Sequence, residues 1–184
     1  MQSAQFKNQF LLAMPGQVEG DFSSSVTLLA EHNDDGAMGL VINKPSDLAF
    51  ADMLSQLDIE AHVDRDMPVY WGGPVQTERG FVLHVDEGDW ESSLHIDGGL
   101  AITTSRDILE AIGNGFGPSA YLITLGYAGW GAGQLESEML ANSWLTTPAE
   151  SRIIFSSPAE RRWADAAGLL GLEAHQLSGR AGHA

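Results

Sequence analysis

The sequence predicts a mixed fold of strands and helices, and three observations carry that prediction. Short apolar runs bounded by turn residues recur along the 184 residues, two other segments repeat apolar residues at helical spacing, and an Asp-Gly pair separates two of the apolar runs. Strands are expected at Phe10 to Met14, Val26 to His32, Met38 to Asn43, Pro68 to Trp71, Gly80 to Asp86, Leu100 to Thr104, Ala120 to Leu125 and Ile153 to Phe155. Several of these runs are apolar without interruption, the pattern of a strand buried on both faces, with a buried helix as the alternative that short runs leave open.

Helices are signalled by spacing. Phe50, Met53, Leu54 and Leu57 fall at i, i+3, i+4 and i+7, so Leu48 to Leu57 reads as one amphipathic helix. Trp163, Ala166, Ala167 and Leu170 repeat the spacing, with Ser157 as expected N-cap, Pro158 at N1 and Glu160 at N3. Thr104 to Asp107 reads as a strand end and cap before a helix through Ile108, Leu109 and Ile112 that Gly113 ends. A fourth helix is expected from Gln134 to Ala141.

In NDDG (Asn33 to Gly36), Asp35 and Gly36 are the expected two-residue loop of a type I′ hairpin. Paired residue numbers then sum to 71, placing His32 opposite Gly39, Ala30 opposite Val41 and Leu28 opposite Asn43. His32 and Asn43 share a face in that register but lie roughly 13 Å apart, at about 3.4 Å per residue.

The chain carries 9 Lys+Arg against 25 Asp+Glu, a formal charge of −16, and Lys7 and Lys44 are its two lysines. Charged residues are 18% of the chain, below the roughly 25% of an ordinary domain, so the imbalance comes from missing cations rather than acidic blocks. No cationic footprint exists to neutralise a phosphate backbone, which argues against direct nucleic-acid binding and against an anionic membrane surface. The absence of cysteine removes thiolate nucleophiles, Cys-ligated zinc, iron–sulfur clusters and disulfides. No repeat or low-complexity linker divides the chain, so one domain over residues 1–184 is expected. Apolar stretches such as FLLAMP and YLITLGYAGW fall short of the roughly 18 residues a spanning helix needs, and a signal-type N-terminus is not evident. A cytoplasmic protein is the simplest expectation.

Nine of the 21 glycines lie between Gly98 and Gly133. GYAGWGAGQLE (Gly126 to Glu136) reads as a strand entering a glycine turn and then a helix. It matches neither GxGxxG nor GxxxxGK[ST], and Glu136 and Glu138 in the first turns would repel phosphate, so a structural turn is the better reading. Gly72-Gly73-Pro74 reads as a turn between strands, with a binding loop as its functional alternative. His32, His62, His84, His95, His175 and His183 show no metal-ligand spacing, and His84-x-Asp86 with His95-x-Asp97 suits cross-strand surface pairing better than a metal site. Neither GxSxG nor SxxK occurs, and capping accounts for Ser105. Lys44 either relieves charge at a turn before Pro45 or grips an acidic ligand.

Taken together, FLLAMP, EHNDDGAMGLVINKP, GGPVQTERGFVLH, TTSRDIL, GYAGWGAGQLESEM, NSWLTTPAE and the terminal GHA resemble the AlgH/YqgE family of bacterial proteins, in the same order over nearly the whole chain. The resemblance implies an α+β fold in which a bifurcated mixed sheet curls into a pseudo-barrel flanked by helices. Family members are commonly labelled transcriptional regulators, and the family offers no established reaction or catalytic residues to carry over. By resemblance, a shared ligand or partner surface would be lined by Glu31, His32, Asn33, Asn43, Lys44, Pro45, Gly72, Gly73, Pro74, His84, Gly126, Tyr127, Trp130, Gln134, Glu136 and Asn142. Lys44 departs from the family, where Arg often stands, and an ammonium there weakens a bidentate contact.

Two functional expectations follow. The first is a non-enzymatic regulator or adaptor that binds a protein or small ligand through the Asn43 to Pro45 and Gly72 to Gly73 loops, without cofactor or metal. The second is an uncharacterised hydrolase or transferase with His32 or His84 as acid/base and Glu31 or Glu136 as its orienter. Lys44, Arg79 and Arg106 lie in the motif segments, so a locally less negative patch on an acidic body is expected.

Overall fold

A computed structural model of the chain describes residues 6–171. His175, His183 and the terminal GHA segment lie outside the described residues. The elements in chain order are β1 (Gln9–Ala13), β2 (Val26–Asn33), β3 (Gly36–Val41), β4 (Pro45–Ala49), α1 (Phe50–Gln56), β5 (Pro68–Trp71), β6 (Val75–Val85), β7 (Ser93–Ile96), β8 (Leu100–Thr103), α2 (Arg106–Gly113), β9 (Tyr121–Gly131), α3 (Gln134–Leu140), β10 (Trp144–Pro148), α4 (Ser151–Phe155) and α5 (Arg162–Gly168).

The strands form one branched sheet in the order β10-β1-β2-β3-β9-β6-β8-β7, with β4 and β5 on a side branch. Its pairs are antiparallel except β5 with β9, so the sheet is mixed, and it curls into a half-barrel in an α+β fold. Alternation along the strands divides the apolar residues between two faces. Phe10, Leu12, Leu28, Leu40, Phe81 and Leu83 share one face, which α4 and α5 cover with Ile153, Ile154 and Trp163. On the other face α1 and α2 cover Val82 and Ile123, while α3 covers Leu11, Leu29 and Ala128. This two-sided burial is why β1 and β2 read as uninterrupted apolar runs.

The branch point is made of glycine. Up to Leu125, β9 lies between β5 and β6; from Ala128 it pairs with β3. Gly72 spans the gap, its N–H donating to the Leu125 carbonyl and its carbonyl accepting from Val41 N–H, both at 2.9 Å. An added Cβ at Gly72 would overlap the Gly126 carbonyl, one at Gly73 (φ +149°) the Tyr127 carbonyl, and one at Gly126 (φ +79°) the Gly73 carbonyl. Gly72-Gly73 is therefore a backbone crossing packed against β9, and a fuller constraint than the expected turn.

Several expectations need correction. Ile153 to Phe155 is helix α4, because both adjacent isoleucines are buried in one cluster and a strand would send them to opposite faces. β4, β7 and β10 carry no apolar run long enough to announce them; β10 forms by pairing with β1, Gln9 opposite Pro148 through Ala13 opposite Trp144. β6 starts at Val75 rather than Gly80, and β9 runs through the expected glycine turn to Gly131. In the hairpin, Asn33 pairs with Gly36, so Asp34 and Asp35 form the loop and the sum is 69, falling to 68 beyond a bulge between Leu29 and Glu31. Neither aspartate has positive φ; the Asn33 side-chain oxygen accepts from Asp35 N–H at 2.8 Å and folds the turn, while Gly36 lies too close to Trp130 for a side chain. Pro158 is extended (ψ 145°) rather than the first helical residue, and a 3-10 turn from Ala159 precedes α5.

If steric closure at the branch point dominates, Gly73→Ala and Gly126→Ala should each lower unfolding free energy by about 2–4 kcal/mol. Gly133, with φ +74° but open space around it, is the control, and its alanine variant should cost about 1–2 kcal/mol. Urea unfolding of the three variants checks this; equal losses would reduce the branch point to ordinary backbone preference.

Candidate functional site

His32 alternates with Glu31 and Asn33 along β2, so it points inward while they point to solvent. It stands opposite Ala37, not Gly39, because of the bulge before Glu31. Its side chain is fully buried; Nδ1 accepts from Phe6 N–H at 2.9 Å, so the ring proton sits on Nε2 and donates to Glu136 Oε1 at 2.9 Å. The Phe6 ring stacks on the imidazole at 5.4 Å. The hydrogen bond from His32 holds the Glu136 carboxyl below the usual carboxylate range. Both ring nitrogens are thus engaged, tying the segment before β1 to α3.

His84 is buried in the same sense. Its Nδ1–H donates to the Val85 carbonyl at 2.6 Å, and Nε2 accepts from the Thr103 hydroxyl at 2.8 Å, which in turn accepts from Ser93 Oγ at 2.6 Å. Burial pushes its pKa down. Asp86, just past β6, turns outward to His95 Nδ1 at 2.9 Å, but the other half of the surface pairing expected from the His-x-Asp spacings does not form: His84 is buried and Asp97 accepts from the Asn8 amide. Ser105 departs from the capping expectation: its hydroxyl donates to Asp107 and accepts from Ser92 N–H, fastening the loop before β7.

The Asn43 to Pro45 segment is also internally committed. Asn43 Oδ1 accepts from Val26 N–H at 2.8 Å and its Nδ2 donates to the Ser24 carbonyl at 2.9 Å. Lys44 Nζ donates to the Ser23 carbonyl at 2.6 Å. Together they hold the turn entering β2, so Lys44 acts in the structural role. The hairpin and the turn share no partner, in keeping with the separation of His32 from Asn43. Arg106 is engaged by Glu110 and the Leu57 carbonyl, and Arg79 by Gln76, so the three motif cations sit on separate supports.

Two clefts flank the last turn of β9. The larger, about 640 Å³, is walled by Glu31, Asn33 and Asp35 of the hairpin, by Gln76, Arg79 and Phe81 of β6, and by Met38, Leu94, Tyr127 and Trp130. The second, about 420 Å³, lies behind Trp130 and takes in Pro74, Gln134, Phe22, Glu138 and Trp144. Of the residues named from sequence, the structure brings Glu31, Asn33, Tyr127 and Trp130 to the first and Pro74, Trp130 and Gln134 to the second. His32, His84, Asn43, Lys44, Pro45, Gly72, Gly73, Gly126, Glu136 and Asn142 line neither.

Arg79 and Gln76 were missed as cleft residues. β6 is irregular between Val75 and Gly80, and Gln76 takes φ +47°, a departure no local sequence signal announces. Arg79 then lies over the Phe81 ring at 5.5 Å. Glu138 was legible in principle, four residues after Gln134 on one helix face.

The AlgH-like family, DUF179, matches residues 10–175. The chain belongs to this family. A UPF0301 protein of Cupriavidus metallidurans is 56% identical over 179 residues, 96% of this chain and 94% of the relative. One from Thioalkalivibrio sulfidiphilus is 53% identical over 183 residues, 99% and 98% of the two chains. The solution structure of the AlgH protein from Pseudomonas aeruginosa superimposes with a TM-score of 0.80 at 47% identity, over 97% of each chain. A Corynebacterium diphtheriae crystal structure shares the fold, with a TM-score of 0.70 at 21% identity over 90% of this chain and 87% of the other. Among the described residues of this AlgH-like chain, no helix is long and apolar enough to cross a membrane.

Because burial depresses the His84 pKa, the unfolded state binds more protons once pH falls below its ordinary value. The His84 contribution to stability is therefore complete above about pH 6.5 and is lost as pH falls through the folded-state value. Urea unfolding between neutral and mildly acidic pH should show this loss, and His84→Gln should have a flatter profile. Parallel profiles for wild type and variant would count against a buried neutral imidazole.

Proposed function

We propose that this chain is a single-domain binding protein, an indirect regulator or adaptor in the cytoplasm, and that the cleft between the β2–β3 hairpin and β6 receives its protein or small-molecule ligand. The observation that carries this reading is the convergence of Glu31, Asn33, Tyr127 and Trp130 on one cleft, opposite a guanidinium held in place over Phe81. Its volume of about 640 Å³ falls within the range of small-ligand sites. One wall is acidic and the other carries Arg79, so a ligand with an anionic or acceptor group facing β6 is favoured. The binding surface moves accordingly from the Asn43 to Pro45 and Gly72 to Gly73 loops to the neighbouring hairpin cleft.

A hydrolase or transferase using a histidine acid/base is the weaker reading, since both ring nitrogens of His32 and of His84 already have protein partners. A charge of −16 speaks for an effect on transcription exerted through a partner rather than on DNA.

Arg79→Glu reverses the one cation of the cleft at an exposed position and leaves the core untouched. Affinity for whatever co-purifies with, or is captured by, the wild-type chain should drop by roughly tenfold or more. Mass spectrometry of retained ligands and partners, side by side for the two proteins, is the measurement; identical inventories would move the site elsewhere.

A further inference from the structure

The hairpin cleft holds opposite charges that do not meet. Glu31 and Asp35 stand on its β2–β3 wall and Arg79 on its β6 wall, all three exposed. Arg106, Arg152 and Arg161 each lie within reach of a carboxylate, but among the described residues no ion pair engages Arg79, Glu31 or Asp35. A guanidinium that lines one cleft with two carboxylates and pairs with neither leaves room for a ligand between them.

Both walls are supported by the fold. Asn33 Oδ1 accepts from Asp35 N–H at 2.8 Å and Gly36 packs on the Trp130 carbonyl, which fixes the hairpin tip. On the other wall the Arg79 guanidinium lies 5.5 Å from the centre of the Phe81 ring, and its Nη1 donates to Gln76 Oε1 at 3.3 Å. Further N–H donors of the guanidinium stay available to a carboxylate. Between the walls Met38, Leu94 and Tyr127 are half-buried and give the cleft apolar surface.

The charge pattern narrows the ligand. A simple anion would meet Arg79 but also two carboxylates and the field of a chain with a formal charge of −16. A simple cation would leave Arg79 unanswered. A ligand with one charge of each sign, separated by an apolar body, answers both walls and carries no net charge against that field. We propose that the hairpin cleft binds a small amino-carboxylate zwitterion. Its carboxylate meets Arg79, its ammonium faces Glu31 and Asp35, and its carbon chain crosses Met38, Leu94 and Tyr127. This inference rests on the reading of the same cleft as the binding site and names the class of ligand it takes. An ω-amino acid and the two free ends of a short peptide share that chemistry.

The test is titration of the full chain with ε-aminocaproate, trialanine, hexanoate and hexylammonium, read by calorimetry and by the amide resonances of Gly36 and Gly129 in the cleft wall. At least one zwitterion should shift both resonances and bind roughly tenfold or more tighter than hexanoate and hexylammonium. Whichever zwitterion binds tighter identifies the source as an amino acid or a peptide. Arg79→Gln should weaken that zwitterion and hexanoate about tenfold and leave hexylammonium unchanged, whereas Glu31→Gln with Asp35→Asn should weaken the zwitterion and hexylammonium and leave hexanoate unchanged. All three positions are exposed, so these variants leave the core intact. If hexanoate or hexylammonium matches both zwitterions while the cleft resonances still shift, the ligand class falls and the cleft stands. No binding of either zwitterion at millimolar concentration also overturns the proposal, and the ligand and partner inventory of Arg79→Glu then judges the cleft separately.

Discussion

Three glycine backbones meeting without intervening side chains, at Gly72, Gly73 and Gly126, hold the branched sheet together. β9 must leave β5 on one side and take up β3, and Gly72, directly after β5, bonds to β9 at Leu125 and to β3 at Val41 across that change. The left-handed conformation at Gly126 turns the strand enough to serve both branches. Everything that gives the surface its character follows within five residues: Tyr127, Gly129 and Trp130 come directly after the change of partner, and the two clefts open on either side of them.

The residue types that most suggest chemistry are used here as ties. His32 joins the segment before β1 to α3, His84 joins β6 to β8, and Asn43 and Lys44 secure the turn before β2. Arg162 is the extreme instance. It is buried, donates to the Ile42 and Ser157 carbonyls, lies over the Tyr70 ring at 5.1 Å, and so fastens α5 to the sheet at Ile42 and Tyr70. A buried cation with engaged donors and an aromatic face resists removal, because truncating it would strand the carbonyls it satisfies. Accessible chemistry is left to the clefts, where side chains with less regular partners gather.

Legibility from sequence tracked how local each signal was. The spacing of Phe50, Met53 and Leu54 announced α1, and Gln134 to Ala141 anticipated α3 within one residue, since amphipathic periodicity needs no partner strand. The hairpin was found in the right place but in the wrong register: Asp-Gly marks a turn, whereas the Asn33 side chain and the contact of Gly36 with Trp130 choose which residues form it. Ile153 and Ile154 looked like strand because a short apolar run is silent about which faces are buried. The candidate site was legible in half measure. Trp130, Tyr127, Glu31 and Asn33 converge, but Arg79 and Gln76 join them only through an irregularity in β6.

By itself the sequence determined the family, the mixture of strands and helices, the absence of cysteine and a formal charge of −16. These depend on composition and on patterns of a few residues, which survive without knowledge of the partner strand. Tertiary structure alone decided that His32 and His84 face inward, that Lys44 is bound to a backbone carbonyl, and that Trp130 and Trp144 share one carboxylate 2.9 Å from each indole nitrogen. The physical reason is register. A shift of one residue exchanges the faces of a strand, and the register of β2, β9 and β10 is set by contacts with segments up to more than a hundred residues away.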